Sequence, residues 1–272
     1  MADQRVVLTT GANSGIGLAT ALELARRGFR SVGTVRSEEK AEVLAKAAAD
    51  AGVAVETALL DVTDADGCDE VVERFRPYGL VNNAGYSVTG AVEDVGDDEA
   101  RHALETMVVA PMRLARLSLP HMRPGGGRIV NVSSVMGITS TALTGWYQAA
   151  KHALEAVSDA LRVEVAGDGV RVVLIEPGGF RTGIWDEGRQ EVARRQDSRY
   201  DTAYQRGLQG TRLVEPLMGD PGRVARVIAG AVSARRPRPR YLVGYDAQML
   251  AWVERLTVSP VKDAVTRRFL GL

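Results

Sequence analysis

Tyr147 and Lys151 stand four residues apart in the run Trp146-Tyr147-Gln148-Ala149-Ala150-Lys151, so on a helix their side chains share one face, one turn from each other. A phenol with a reference pKa of about 10 is a poor base at neutral pH, and an ammonium beside it favours the phenolate. The pair can therefore shuttle a proton. Surface helices produce Tyr-x-x-x-Lys freely, so the pair gains meaning only beside a second chemical feature. That feature lies near the N-terminus, where Thr10-Gly11-Ala12-Asn13-Ser14-Gly15-Ile16-Gly17 follows a β-branched run and precedes a helical pattern. Glycines there let the backbone turn tightly and approach a pyrophosphate, while the free N–H groups of the following helix accept its negative charge. The spacing differs from the common G-x-G-x-x-G.

Bringing these two features together requires a sheet and its crossover helices. Short apolar runs alternate with longer stretches of helical periodicity, about seven units in all, the pattern of an α/β, doubly wound parallel sheet with helices on both faces. Strands are expected at residues 5–9, 31–35, 53–60, 79–83, 128–133 and 170–176, with a last edge strand at 241–243. Helices are expected at 16–27, with Ile16, Ala19, Leu22 and Ala25 on one face, at 38–51 between a Ser37 N-cap and Gly52, and at 64–75. Others are expected at 97–119, halted by Pro120, at 147–166, and after the Asp220-Pro221 opening. Residues 183–219 mix charge with Trp185, Tyr200 and Tyr204 and lack a clean strand pattern, which marks a candidate substrate lid.

TGANSGIG closely resembles the T-G-x-x-x-G-x-G turn of the short-chain dehydrogenase/reductase family. Three further segments agree in order and spacing: Asn82-Asn83-Ala84-Gly85, the set Ser134, Tyr147 and Lys151, and Pro177-Gly178 followed by Thr182. The resemblance runs from Val6 to about Thr182. It implies a single Rossmann-type dinucleotide-binding and catalytic domain over 1–272, with a C-terminal helical extension at about 245–272. It also implies hydride transfer between a carbonyl compound, ketone or aldehyde, and an alcohol, with Tyr147 as general acid/base. The oxidised nicotinamide would add to the lysine's effect on the phenol. Ser134 would orient the substrate oxygen, and Lys151 would also hold the nicotinamide ribose. Ser133 is offset by one residue, which in a strand turns its side chain to the other face.

The same resemblance implies cofactor contacts for Gly11, Asn13, Ser14, Gly15, Ile16 and Gly17, for Asp61 and Val62 at the adenine, and for Asn83, Ala84 and Gly85 near the adenosine ribose. Pro177, Gly178, Phe180 and Thr182 would form the turn that meets the nicotinamide carboxamide, at the carboxyl edge where open α/β sheets bind ligands. Val35 stands where NAD-specific relatives carry a carboxylate, and Arg36 is placed to pair with a 2′-phosphate, so NADP(H) is favoured over NAD(H). The asparagine usual in the fourth helix falls on Met107, whose thioether is a weak acceptor with no donor. Water is expected to take the missing place, with turnover retained but open to slowing. Family habit makes a homo-oligomer, dimer or tetramer, the expectation.

Other function classes remain to be weighed. A dinucleotide-binding regulatory protein with weak or no turnover also accommodates Met107. A sugar-nucleotide epimerase or dehydratase shares the Tyr and Lys but has another glycine spacing and a larger C-terminal region. Tyr86, Met136 and Trp146 either line a substrate pocket or pack as ordinary core. The 272 residues balance 34 basic against 34 acidic, so no net field draws in nucleic acid or anionic lipid. One cysteine, Cys68, permits no internal disulfide, and His102, His121 and His152 lie too far apart for a zinc site, so no metal is expected. MADQRVVLTTG reaches a glycine turn too soon for a secretory signal, and no apolar run approaches the roughly 20 residues that span a bilayer. A cytoplasmic protein acting on a small carbonyl or alcohol substrate is the resulting expectation.

Overall fold

Val6–Thr10 (β1) is buried along its whole length, which a strand achieves where helices cover both faces of its sheet. The computed structural model describes residues 5–195 and 197–272, and it places β1 within a seven-stranded parallel sheet. The other strands are β2 (Arg30–Val35), β3 (Val55–Leu59), β4 (Gly79–Asn82), β5 (Arg128–Val132), β6 (Arg171–Pro177) and β7 (Arg240–Val243). Their order is β3-β2-β1-β4-β5-β6-β7. The order reverses between β1 and β4, and such a switch point opens a crevice outside the carboxyl ends of the strands. Each strand expected from the sequence is present with slightly shifted ends, and β7 is an edge strand. Residues 1–4, which begin the stretch weighed as a secretory signal, and residue 196 of the expected lid lie outside the described residues.

The helices are α1 (Gly15–Arg26), α2 (Glu38–Asp50), α3 (Ala65–Phe75), α4 (Asp97–Leu104), α5 (Ala110–Met122) and α6 (Gly145–Glu164). They continue with α7 (Ile184–Arg194), α8 (Asp201–Val214), α9 (Pro221–Ser233), α10 (Tyr245–Leu256) and α11 (Ser259–Leu270). Strand alternation divides the core in two. Leu8, Val32, Leu80 and Ile129 pack with Phe75 and Leu114 on one face, and Val7, Val81, Val130 and Val173 pack with Leu24 and Ile228 on the other. Local capping follows the sequence closely: Ser37 accepts from the Lys40 N–H and Asp220 from the Gly222 N–H, and Gly52 follows α2 at φ +65°.

Three expectations are corrected. The buried face of α1 is Gly17, Thr20, Ala21 and Leu24, whereas Ile16, Ala19, Leu22 and Ala25 are half-buried. The helix lies against α9 as well as the sheet, so its second face is covered only in part. Pro120 halts nothing, because α5 runs through it to Met122. In the last turn a proline removes one intrahelical bond, and the Arg123 N–H still donates to the Leu119 carbonyl at 3.0 Å. The single helix expected over 97–119 is also interrupted by a π-helical turn, Glu105–Val109, which contains Met107.

The segment expected as a lid contains α7 and α8. Buried Tyr204 anchors α8, its hydroxyl donating to Asp94 Oδ2 at 2.6 Å and accepting from the Ala91 N–H at 2.7 Å. Among the described residues no helix is long and apolar enough to cross a membrane.

Candidate active site

The residues singled out by type and spacing lie at the carboxyl ends of β1 to β6. The glycine turn follows β1, Arg36 follows β2, Asp61 and Val62 follow β3, residues 83–85 follow β4, Ser134 follows β5, and Pro177 ends β6. Gly11 and Gly15 hold φ +65° and +53°, a region that side-chain-bearing residues rarely adopt. Gly17 is required by space instead: a Cβ there would lie 2.2 Å from the Gly11 carbonyl oxygen and 2.5 Å from Asn83 Nδ2. Asn83 ties β4 to this turn, its Nδ2 donating to the Thr10 carbonyl at 2.9 Å and the Gly11 carbonyl at 3.2 Å. Thr10 Oγ1 accepts from the N–H groups of Asn83 and Ala84, both at 3.0 Å. Ser14 stands at the N-cap of α1 without a capping bond, unlike the caps of α2, α3 and α9. The positive end of α1 is thus left for another acceptor.

On α6, Lys151 Nζ lies 5.7 Å from the centroid of the Tyr147 ring and donates to the Val132 carbonyl at 2.9 Å. That bond fastens the ammonium to the end of β5, two residues before Ser134. Ser134 Oγ accepts from the Met136 N–H at 3.1 Å, and its hydroxyl is near enough to the Tyr147 phenol to favour the phenolate. Burial pushes the phenol above its ordinary range, and the Ser134 hydroxyl nearby only opposes this. The expected lowering of the phenol by the ammonium therefore does not prevail, because desolvation of a phenolate costs more. Burial pulls Lys151 down to about 8, against the charge of Glu155. Ser133 is buried, its Oγ beside Gly137 and close to Glu155 and without a hydrogen-bond partner among the described residues.

The family model described as short chain dehydrogenase matches residues 5–193. The chain belongs to the short-chain dehydrogenase family. Retinol dehydrogenase 7 of Mus musculus is 32% identical over 265 residues, covering 90% of this chain and 82% of that protein. A short-chain dehydrogenase from Streptomyces avermitilis has a TM-score of 0.78 and 34% identity, over 97% of this chain and 96% of that one. L-Sorbose reductase from Gluconobacter frateurii, crystallised with NADPH and L-sorbose, has a TM-score of 0.75 and 29% identity, over 89% and 95%.

In this short-chain dehydrogenase the exposed Arg36 and the carboxyl of Asp61 share one end of the crevice. Asp61 is held below the usual carboxylate range first by the Thr63 N–H, at 2.9 Å, with the Arg36 charge contributing. At the other end Thr182 meets the glycine turn, since a Cβ on Gly15 would lie 3.1 Å from its methyl group. A cleft of about 350 Å³ opens there, lined also by Trp185 and Met218. The Phe180 ring is buried in the core, with its carbonyl accepting from Trp185 Nε1 at 2.7 Å, and Val62 likewise belongs to the core. Met107 is buried among Val88, Val95, Ala103 and Ala150, with Tyr86, Trp146 and Tyr147 packed against it. An amide at 107 would enter apolar surroundings, and Tyr86 and Trp146 are part of that packing.

An ionic cluster behind Lys151, buried at Glu155 and Glu176 and half-exposed at Arg240 and Asp159, had no signature in the sequence. Arg240 on β7 bonds Glu155 Oε2 at 3.1 Å and Asp159 Oδ2 at 2.7 Å and lies 3.2 Å from Glu176 Oε1. Its members come from α6, β6 and β7, so spacing along the chain conceals them. Burial, then the charge of Glu155, pushes Glu176 up to about 7. Because this folded value exceeds the ordinary 4.5, the group's contribution to stability is full below 4.5 and is lost as pH rises through about 7. Glu176→Gln removes that titration. Its melting temperature is expected to gain on wild type between about pH 5 and about pH 8, measured by thermal melts at each pH. Parallel curves for the two proteins would refute the assignment.

Proposed function

We propose that the protein is an NADP(H)-dependent oxidoreductase interconverting a ketone or aldehyde and an alcohol, with Tyr147 as general acid/base. The observation that carries this is the meeting of Ser134, Tyr147 and Lys151 at the same sheet edge as the glycine turn. The turn fits a dinucleotide: Gly11, Gly15 and Gly17 form a cradle that side chains would fill, and the N-cap of α1 has no side-chain partner. Residues 11–17, Asn83, Ala84 and Gly85 would hold the phosphates and adenosine, and Arg36 the 2′-phosphate. The turn at Pro177 and Gly178, with Thr182, would hold the nicotinamide end. When bound, the reduced nicotinamide supplies the hydride that reduces a carbonyl carbon.

Each residue's part follows from its surroundings. Burial keeps the proton on Tyr147 at neutral pH, which is the form that donates to a carbonyl oxygen as it becomes an alkoxide. Ser134 Oγ, whose hydroxyl acts on the same phenol, would be the second donor that orients that oxygen. Lys151 stays largely charged at neutral pH with its value near 8, and so replenishes positive potential beneath the phenol. Residues 183–219 would close over the substrate, and α8 is already tied to Asp94 through Tyr204. Retinol dehydrogenase and L-sorbose reductase are named for an apolar alcohol and a sugar, so the substrate panel should hold carbonyls and alcohols of both kinds.

The test is nicotinamide absorbance with NADPH and NADH across that panel. Arg36→Ala is expected to weaken NADPH about tenfold while leaving NADH unchanged, the loss of one charge-assisted contact. An unchanged ratio of the two cofactor KM values would remove Arg36 from the phosphate.

A further inference from the structure

The turn after β6 is held from both sides by residues far along the chain. On one side the Gly219 N–H donates to the Gly179 carbonyl at 2.9 Å, and the Arg181 N–H donates to the Gly219 carbonyl at 3.0 Å. On the other, the Gly178 N–H donates to the carbonyl of Val243, the last residue of β7, at 2.9 Å. The chain then turns at Gly244, φ +115°, and enters α10. Asp246, in the first turn of α10, reaches back and accepts from the Gly179 N–H at 2.5 Å.

This carboxylate occupies the space that a side chain at 178 would need. A Cβ on Gly178 would lie 2.2 Å from Asp246 Oδ2 and 2.3 Å from Oδ1, and one on Gly244 would lie 2.3 Å from Oδ1. Gly178 does not hold a positive φ, so what a side chain there would meet is the carboxylate and not backbone strain. Two glycines make room for one acidic group, which the N-terminal end of α10 favours electrostatically. The backbone that Asp246 grips continues through Phe180 and Arg181 to Thr182, which abuts Gly15 of the glycine turn. A shift at Gly179 is therefore carried along the turn toward Thr182 and the Gly15 side of the glycine turn.

We infer that Asp246 is a positioning residue for the nicotinamide end of the dinucleotide, acting through Gly178 and Gly179. The inference rests on the cofactor reading above. Its chemistry is a directional hydrogen bond that sets the orientation of a peptide unit, with no contact to the reacting atoms. Loss of that bond should therefore affect a ligand that reaches this turn and spare one that stops short of it.

The experiment compares NADPH with 2′-phospho-ADP-ribose, which keeps the adenosine, both bridging phosphates and the second ribose but lacks nicotinamide. Dissociation constants for both are measured by fluorescence titration on wild type, Asp246→Ala and Asp246→Asn. Asp246→Ala is expected to weaken NADPH about tenfold and to bind the fragment as wild type does. Asp246→Asn retains an oxygen acceptor for the Gly179 N–H, so its loss for NADPH should be about threefold, again with no change for the fragment. Normal fragment binding also reports a folded glycine turn, and if Asp246→Ala does not fold, Asp246→Asn is held to the same comparison. Equal weakening of both ligands, or of neither, overturns the positioning role while leaving the cofactor reading intact. A wild-type protein that binds neither ligand overturns the cofactor reading and the positioning role with it.

Discussion

Tyr147→Phe is expected to lower turnover of an accepted carbonyl substrate by about 10³-fold, within the range that a positioned general acid contributes, while NADPH still binds. The ring of Tyr147 packs in the cluster around Met107 with Trp146 close by, and phenylalanine preserves that volume. Lys151 remains fastened to the Val132 carbonyl, and Ser134 still accepts from the Met136 N–H, so neither neighbour depends on the phenol for its position. Only the proton is lost. The measurements are kcat at saturating NADPH and the NADPH dissociation constant by fluorescence. A kcat within a fewfold of wild type on the best panel substrate would show that Tyr147 is not the acid.

Gly17→Ala is expected to weaken NADPH by roughly 30- to 100-fold, equivalent to about 2–3 kcal/mol, the upper part of the range for overpacking a close contact. The added Cβ would meet the Gly11 carbonyl at 2.2 Å, and that oxygen is backbone held by Asn83. Nothing flexible can yield. Either α1 retreats from the turn or the turn opens, and both displace the surface offered to phosphate. Gly167→Ala is the control, since a Cβ there meets nothing within 4 Å. Titration with NADPH and thermal melts of both variants decide the matter. Equal affinities for the two would mean that the close approach of α1 has no bearing on the ligand.

These two residues also illustrate what was legible without coordinates. Gly17 belongs to a turn whose glycine spacing is local, and Tyr147 with Lys151 needs only the helical repeat to share a face. Ser37 and Asp220 were readable as caps for the same reason, because a cap acts within its own first turn. Ser134 was separated from Ser133 by its spacing to Tyr147 and by strand alternation, and in the structure the Ser134 hydroxyl acts on the Tyr147 phenol while Ser133 is buried beside Gly137.

What escaped the sequence was set by contacts between distant segments. The lowering of Tyr147 expected from its neighbour gave way to burial, which depends on everything packed around the ring. The burial of the Phe180 ring in the core beside Gly219 likewise depends on a segment far along the chain. The buried face of α1 was shared out by the neighbouring α9, and no periodicity within α1 records that neighbour.

The sequence by itself determined the strand and helix alternation, the phosphate-type glycine turn, and the Ser-Tyr-Lys set, because each rests on chain geometry over a few residues or on a motif of such residues. Only the tertiary structure decided that Arg240 gathers Glu155, Asp159 and Glu176 behind the lysine, and that Asp246 takes the space Gly178 leaves open. Arg240 reaches partners 64 to 85 positions away and Asp246 reaches Gly178 from 68, so the energies of these pairings depend on which surfaces the sheet brings face to face.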